Sequence, residues 1–229
     1  MSFDPGVRDR LVQLGKSLHD RGLTPGRTGN LSVREGGEIM ITPTNASLGR
    51  LDPERLAVVS IDGEHRDGDP PSKELVLHRA LYARHPSCTA VAHLHSPFAV
   101  AVSCLPGLPD EDALPPITPY FVMRVGRLAV VDYAHPGSAE LEASVAAAAM
   151  RTRSLLLRNH GSLVAGSTLE AAQPADSGRV VRGGAPSRLS GYRFRRDVKA
   201  NPNPRASSSR PAAKTSKPKA CAPKAMLMT

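Results

Sequence analysis

His93-Leu94-His95 places two imidazoles two positions apart, and on a β-strand residues i and i+2 point to the same face, so both could reach one ion. An isolated pair of this kind is more often two unrelated histidines. Here Val91-Ala92 make it the end of a buried strand, where two unpartnered rings would be costly and a shared metal would remove the cost. Ser96-Pro97 follows at once, so the pair sits where the chain leaves its sheet. His160, in Arg158-Asn159-His160-Gly161 between two apolar runs, is the best third ligand, with Gly161 expected to permit the tight turn that aims it. Three histidines with an open fourth position match a catalytic zinc site that polarises a substrate oxygen.

Glu74, taken alone, carries no chemical assignment. Its bland reading is a helix-start residue favoured by the dipole, with His78 at i+4 forming a surface pair. Gly29-Asn30-Leu31-Ser32, Thr42-Pro43-Thr44-Asn45 and Ser72-Lys73 offer backbone N–H, amide, hydroxyl and ammonium donors of the kind that cradles phosphate, although ordinary turns look similar. His19, His65, His85 and His135 neighbour polar or turn residues and receive no role.

Positioning these groups requires alternating elements. Val7, Leu11, Leu14 and Leu18 form the stripe of an amphipathic helix ending near Gly22. Leu31–Val33, Glu38–Thr42 and Ala57–Ile61 read as antiparallel strands punctuated by Gly36-Gly37 and Asp62-Gly63. Ser72 is expected to N-cap a helix carrying Leu75, Leu77 and Leu81 that ends before Pro86. Thr89–Leu94 is a buried strand, Pro97–Leu105 a helix, Leu128–Tyr133 a strand, and Ser138 caps an Ala-rich helix to about Met150. Leu155–Leu157 and Leu163–Ala165 add strands around His160. The alternation predicts an α/β sandwich with a mixed or antiparallel sheet.

Residues 173–229 hold 13 Lys/Arg and 2 Asp/Glu, while residues 1–172 are close to neutral, so the chain's net charge of +9 belongs to its last quarter. Ser167-Thr168-Leu169-Glu170 is a capping box, yet Pro174 cuts its helix short. Residues 174–229 are expected to be largely disordered, with almost no apolar periodicity. A linker, an evolved basic tail and translation in a shifted frame would each give such a break, and the orphaned capping box favours the third. Three scattered cysteines, Cys88, Cys104 and Cys221, suit a reducing cytoplasm. No signal peptide or membrane-length apolar run is legible. A nucleic-acid tether ranks last, because Tyr192 and Phe194 are the tail's only aromatic residues for stacking.

Taken in order, Gly29-Asn30-Leu31-Ser32, Thr42-Pro43-Thr44, Pro71-Ser72-Lys73-Glu74, His93-Leu94-His95-Ser96 and Asn159-His160-Gly161 resemble the class II aldolase/adducin family over roughly residues 8–172. The segments Thr42 through Leu51 and Pro116 through Arg127 look most like its 3-oxo-tetronate 4-phosphate decarboxylases. The resemblance implies a class II aldolase-like three-layer α/β/α sandwich with a mixed, mostly antiparallel sheet in residues 1–173. It also implies Zn2+ on His93, His95 and His160, with Glu74 ligating the resting metal and accepting the proton. Asn30, Thr44, Asn45, Ser72 and Lys73 would hold a substrate phosphate, and Tyr120 would serve as a proton donor lent to a neighbouring subunit of a homotetramer. The implied reaction turns a 3-oxo-tetronate 4-phosphate into dihydroxyacetone phosphate and carbon dioxide. The alternatives are a fuculose- or rhamnulose-1-phosphate type aldolase, an epimerase, or an inactive adducin-like binding module, against which the intact ligand set argues. Family members continue past Ala172 with helices that cover the sheet, so the departure after Pro174 implies an impaired enzyme.

Overall fold

The computed structural model describes residues 3–116 and 118–173. Helix α1 (Pro5–Asp20) starts where the Asp4 carboxylate accepts the Gly6 N–H at 2.7 Å. Its stripe buries Val7, Leu11 and Leu18 against Leu31, Val33 and Met40, each aliphatic side chain contributing about 1.5–3 kcal/mol. Strands β1 (Asn30–Glu35) and β2 (Glu38–Ile41) form a hairpin across Gly36, whose φ of 54° suits a residue without a Cβ. Strands β3 (Ala57–Ser60) and β4 (His65–Asp67) extend the sheet to one edge.

Helix α2 (Leu75–Arg84) precedes β5 (Ala90–Leu94), and Ser96 caps α3 (Pro97–Ser103) by accepting the Ala99 N–H. Thr118 likewise caps α4 (Pro119–Arg124). Then follow β6 (Ala129–Val131), α5 (Ala139–Ala148) under its Ser138 cap, β7 (Ser154–Leu157) and β8 (Gly161–Gly166). The eight strands lie in the order β4-β3-β2-β1-β5-β8-β7-β6, antiparallel throughout except for the parallel pair β6–β7. Strand alternation sends Ile39, Ile41, Val59, Val91, Leu155 and Leu163 to the face covered by α2 and α5. The opposite residues meet α1 and, around Val130 and Leu156, α3 and α4. The result is a three-layer α/β/α sandwich with a mixed, mostly antiparallel sheet, as the resemblance implied.

Three local expectations are corrected, and two elements were not legible. Ser72 does not N-cap α2: Glu74 is the N-cap residue, and it makes no side-chain capping bond. The cause is non-local, since Pro71 forms an antiparallel bridge with Pro43 and the Ser72 N–H donates to the Thr42 carbonyl at 3.2 Å, holding the segment extended. Within the capping box it is Thr168 that caps, its hydroxyl accepting the Ala171 N–H over one turn closed by Ala172 N–H to the Thr168 carbonyl. The short edge strand β4 and the helix α4 carried no readable period, β4 being exposed along its whole length and α4 exposing Val122 and Met123. Glycine at 161 serves close approach and not a turn, as described below. No helix among the described residues is long and apolar enough to cross a membrane. The expectations for residues 174–229 lie outside the described residues.

Candidate metal centre

His93 stands in β5 opposite Asn30 of β1 and Leu163 of β8, on the face covered by α2 and α5. Leu94 turns into the opposite core, and His95 returns to the face of His93, as a period of two requires. His160 closes the turn between β7 and β8. Asn159 takes the positive φ there, at 54°, while its N–H donates to the Ser103 carbonyl at 3.2 Å. A Cβ on Gly161 would lie 2.4 Å from the Leu94 carbonyl oxygen, so the missing side chain lets β8 run hard against the end of β5. Gly29 does the same for β1, where a Cβ would sit 2.7 Å from the His93 carbonyl oxygen. Three glycine-dependent or strand-end positions thus bring together residues far apart along the chain.

The three rings stand mutually edge-on, with centroids 4.8 Å apart in each pair. His95 Nε2 lies 2.9 Å from His93 Nε2. Glu74 Oε2 is 3.3 Å from His93 Nε2, and Oε1 is 3.1 Å from His160 Nε2. One ligand atom from each of Glu74, His93, His95 and His160 falls within 4.8 Å of the others. Tetrahedral zinc with bonds of about 2.0–2.1 Å separates its nitrogens by roughly 3.3 Å, so this spacing suits a single ion.

The protonation pattern supports the same fit. The buried His93 ring has Nδ1 2.9 Å from the Ser162 carbonyl, an acceptor, so Nδ1 carries the hydrogen. Burial pushes its pKa below the usual value despite the attraction of Glu74, so its Nε2 is a bare lone pair. Burial, with His93 and His160 nearby, likewise pushes His95 down to about 4. Burial alone would raise the Glu74 pKa, but the His93 ring and the hydrogen bonds from His160 and Asn30 hold it well below the usual carboxylate range. With Nε2 of His93, His95 and His160 and both Glu74 oxygens turned toward one another, the donor set is one that a cation between them would hold. A backbone carbonyl fixing the far nitrogen is also the ordinary support for a metal-bound imidazole.

The structure brings Glu74, His93, His95 and His160 together, and Asn30 joins them, donating from Nδ2 to Glu74 Oε2 at 2.8 Å. The other end of that amide meets His78, so the Asn30 side chain faces the carboxylate. The antiparallel Pro43–Pro71 bridge sets Thr44 beside Pro70, its N–H donating to the Pro70 carbonyl at 3.0 Å, and Ser72 beside Thr42, so Thr44-Asn45 and Ser72-Lys73 leave the bridge in opposite directions. Thr44 and Asn45 open on a cleft of about 400 Å³ that Arg27, Arg50 and Arg55 also line, three cations that the sequence reading passed over. Tyr120 stands half exposed in the first turn of α4, with the Arg124 guanidinium 5.7 Å from its ring centroid and no hydrogen bond to the four ligands. The Glu74–His78 surface pair is overturned: His78 is fully buried and bonds to Asn30 and Ser32.

A model of the Class II Aldolase and Adducin N-terminal domain matches residues 9–174. Proteins named 3-oxo-tetronate 4-phosphate decarboxylase from Haemophilus influenzae and Pectobacterium atrosepticum are 46% identical over 167 and 173 residues, covering 72% and 75% of this chain and 80% and 79% of theirs. Among solved structures, YgbL of Klebsiella pneumoniae, described as a candidate aldolase/epimerase/decarboxylase, superposes with a TM-score of 0.70 at 46% identity, covering 72% of this chain and 80% of that one. An L-fuculose 1-phosphate aldolase superposes with a TM-score of 0.66 at 30% identity, covering 75% and 79%.

Proposed function

Because the chain belongs to the class II aldolase and adducin family, we propose that it is a metal-dependent carbon–carbon lyase that decarboxylates a 3-oxo-tetronate 4-phosphate, releasing dihydroxyacetone phosphate and carbon dioxide. The observation that carries this reading is the convergence of three imidazoles and one carboxylate at the end of β5, with the His93 Nε2 lone pair bare. A divalent ion held by His93, His95 and His160, taken here to be Zn2+, supplies Lewis acidity at the ketone oxygen, where negative charge gathers as carbon dioxide departs.

The chain's own groups do the rest. Glu74, kept anionic and fixed by Asn30, is assigned as the proton acceptor, and the carbon that loses carbon dioxide, which retains an electron pair, takes its proton from a separate donor. Thr44, Asn45, Ser72 and Lys73, on the two segments that the Pro43–Pro71 bridge joins, are assigned to the phosphate. Asn30 was expected to join them, but its committed amide supports a role toward Glu74 instead. Tyr120 is assigned as a proton donor to a neighbouring subunit of a homotetramer, consistent with its exposure in the first turn of α4. We place the enzyme in the cytoplasm, on the strength of its three scattered cysteines, and set the domain end near residue 173.

Incubation with a 3-oxo-tetronate 4-phosphate and, separately, with fuculose 1-phosphate tests the assignment. Carbon dioxide from the first and no aldehyde from the second is the expected result. The reverse pattern would make the chain a sugar-phosphate aldolase, the reading favoured by its likeness to the L-fuculose 1-phosphate aldolase structure. Metal analysis of the protein beside a variant with His93 and His95 changed to alanine tests the site itself. About one ion per chain is expected in the first and none in the second.

A further inference from the structure

Beyond the four ligands, a second set of polar side chains runs from Glu74 into the interior, of which the proposed reaction uses only Asn30. Glu74, His78 and Tyr82 recur at i, i+4 and i+8 along one side of α2, while Asn30, Ser32 and Arg34 recur at i, i+2 and i+4 on the face of β1 beneath it. Four helical residues rise about 6.0 Å and two strand residues about 6.7 Å, so the two stripes can interleave rung by rung. They do. Asn30 Nδ2 donates to Glu74 Oε2, Asn30 Oδ1 meets His78 Nε2, His78 Nδ1 lies 2.7 Å from Ser32 Oγ, and Ser32 Oγ lies 2.8 Å from the Tyr82 hydroxyl. Arg34 closes the far end, its guanidinium 4.9 Å from the Tyr82 ring centroid.

Only one sense of donation satisfies this chain. A carboxylate accepts and cannot donate, so Asn30 must turn its nitrogen to Glu74 and its oxygen to His78. His78 Nε2 must then carry a hydrogen. Burial, with a contribution from His93, pushes the His78 pKa down to about 3, so the ring is neutral and its Nδ1 is a lone pair. Ser32 therefore donates to Nδ1 and accepts from Tyr82. The Thr89 carbonyl, 3.5 Å from the Tyr82 hydroxyl, already accepts the Arg34 N–H at 2.7 Å. His78, Ser32 and Tyr82 are buried, so water cannot substitute for a missing partner.

We propose that His78 is a positioning residue for Glu74: through Asn30 it locks the one amide orientation that donates to the carboxylate, and Ser32 and Tyr82 lock the tautomer of His78 that makes this possible. Removing the Nε2 hydrogen frees the Asn30 amide to rotate, and the rotated amide presents its oxygen to a carboxylate. Glu74 is then repelled from the place where it faces His93 and His160. A satisfied core network that served stability alone would have no such effect on the ligands.

The test compares His78→Leu, which removes both ring nitrogens, with His78→Gln, whose terminal NH2 can stand where Nε2–H stood. Ser32→Ala is the third variant; it keeps the core volume nearly intact and takes the hydroxyl donor from Nδ1, leaving Asn30 alone to hold the tautomer. Zinc affinity by competition with a chromogenic chelator, kcat and KM for the 3-oxo-tetronate 4-phosphate, and Tm are measured on each. The expected result is zinc affinity and kcat each about tenfold lower in His78→Leu and Ser32→Ala, KM within about threefold, and recovery of most of both in His78→Gln. Unchanged zinc affinity and kcat in the folded variants, whatever their Tm, would overturn the proposal, as would a His78→Gln no better than His78→Leu. Should His78→Leu fail to fold, Ser32→Ala decides. The kinetic arm rests on the lyase reading, but the zinc arm does not. A wild-type chain that binds zinc and releases no carbon dioxide would sink that reading while leaving the relay to be judged by metal affinity.

Discussion

At the scale of single residues, the site depends on which groups are charged and which are bare. Changing Glu74 to Gln preserves shape and removes the anion. We expect kcat to fall by about 10²- to 10⁴-fold, while three histidines still retain the metal; turnover by direct assay and metal content by atomic emission check both halves. The histidines make the metal-free protein acid-sensitive. His95 and His78 have pKa values near 4 and 3 against an ordinary 6.5. Between those values and 6.5 the unfolded chain binds more protons than the folded one, so stability is full above that window and is lost as pH falls through it. Tm of the stripped protein is expected to drop steadily from about pH 7 to about pH 4, and a flat profile would contradict buried neutral rings. The His-x-His pair was legible because a two-residue period fixes its face. His78 was not: a histidine four residues after a glutamate looks like a surface pair until β1 is known to lie beneath it.

At the scale of elements, the ligands are placed by how closely strands approach. Gly161→Ala would drive a Cβ to 2.4 Å from the Leu94 carbonyl oxygen, backbone that cannot swing aside. A loss of about 1–3 kcal/mol is expected, together with weaker zinc binding, because β8 carries the Ser162 carbonyl that holds His93. Leu11→Ala gives the contrast. In the α1 core, far from the ligands, it should cost about 2–5 kcal/mol and leave zinc affinity unchanged in the folded protein. Thermal unfolding and chelator competition separate the two. The periodic α1 and the Ala-rich α5 could be read from sequence, as could the cap at Ser138, whereas the Ser96 cap of α3 was passed over. The start of α2 could not, because the Pro43–Pro71 bridge that delays it joins residues 28 positions apart. Nor could β4, whose exposed residues have no apolar period to betray them.

At the scale of the whole molecule, the metal is expected to act as a fastener between the end of β5, the β7–β8 turn and the start of α2. Zinc at about a hundred times its Kd should add about 2.7 kcal/mol to stability, and a chelator should remove it; Tm with and without added zinc measures this. The layer order was legible because strands and helices alternate and the apolar residues choose sides. His160 could be picked out as a third ligand from its place between two apolar runs, but no spacing rule spans the 65 residues to His95, and the resemblance supplied the convergence. The Pro43–Pro71 bridge couples two tasks along a short stretch of backbone, for Ser72 and Lys73 lead without a break into Glu74. An anion drawn to the front of that stretch tugs on the proton carrier at its back. A sugar acid stripped of its phosphate should therefore react slowly even at saturation, its missing grip felt as lost speed as well as lost affinity.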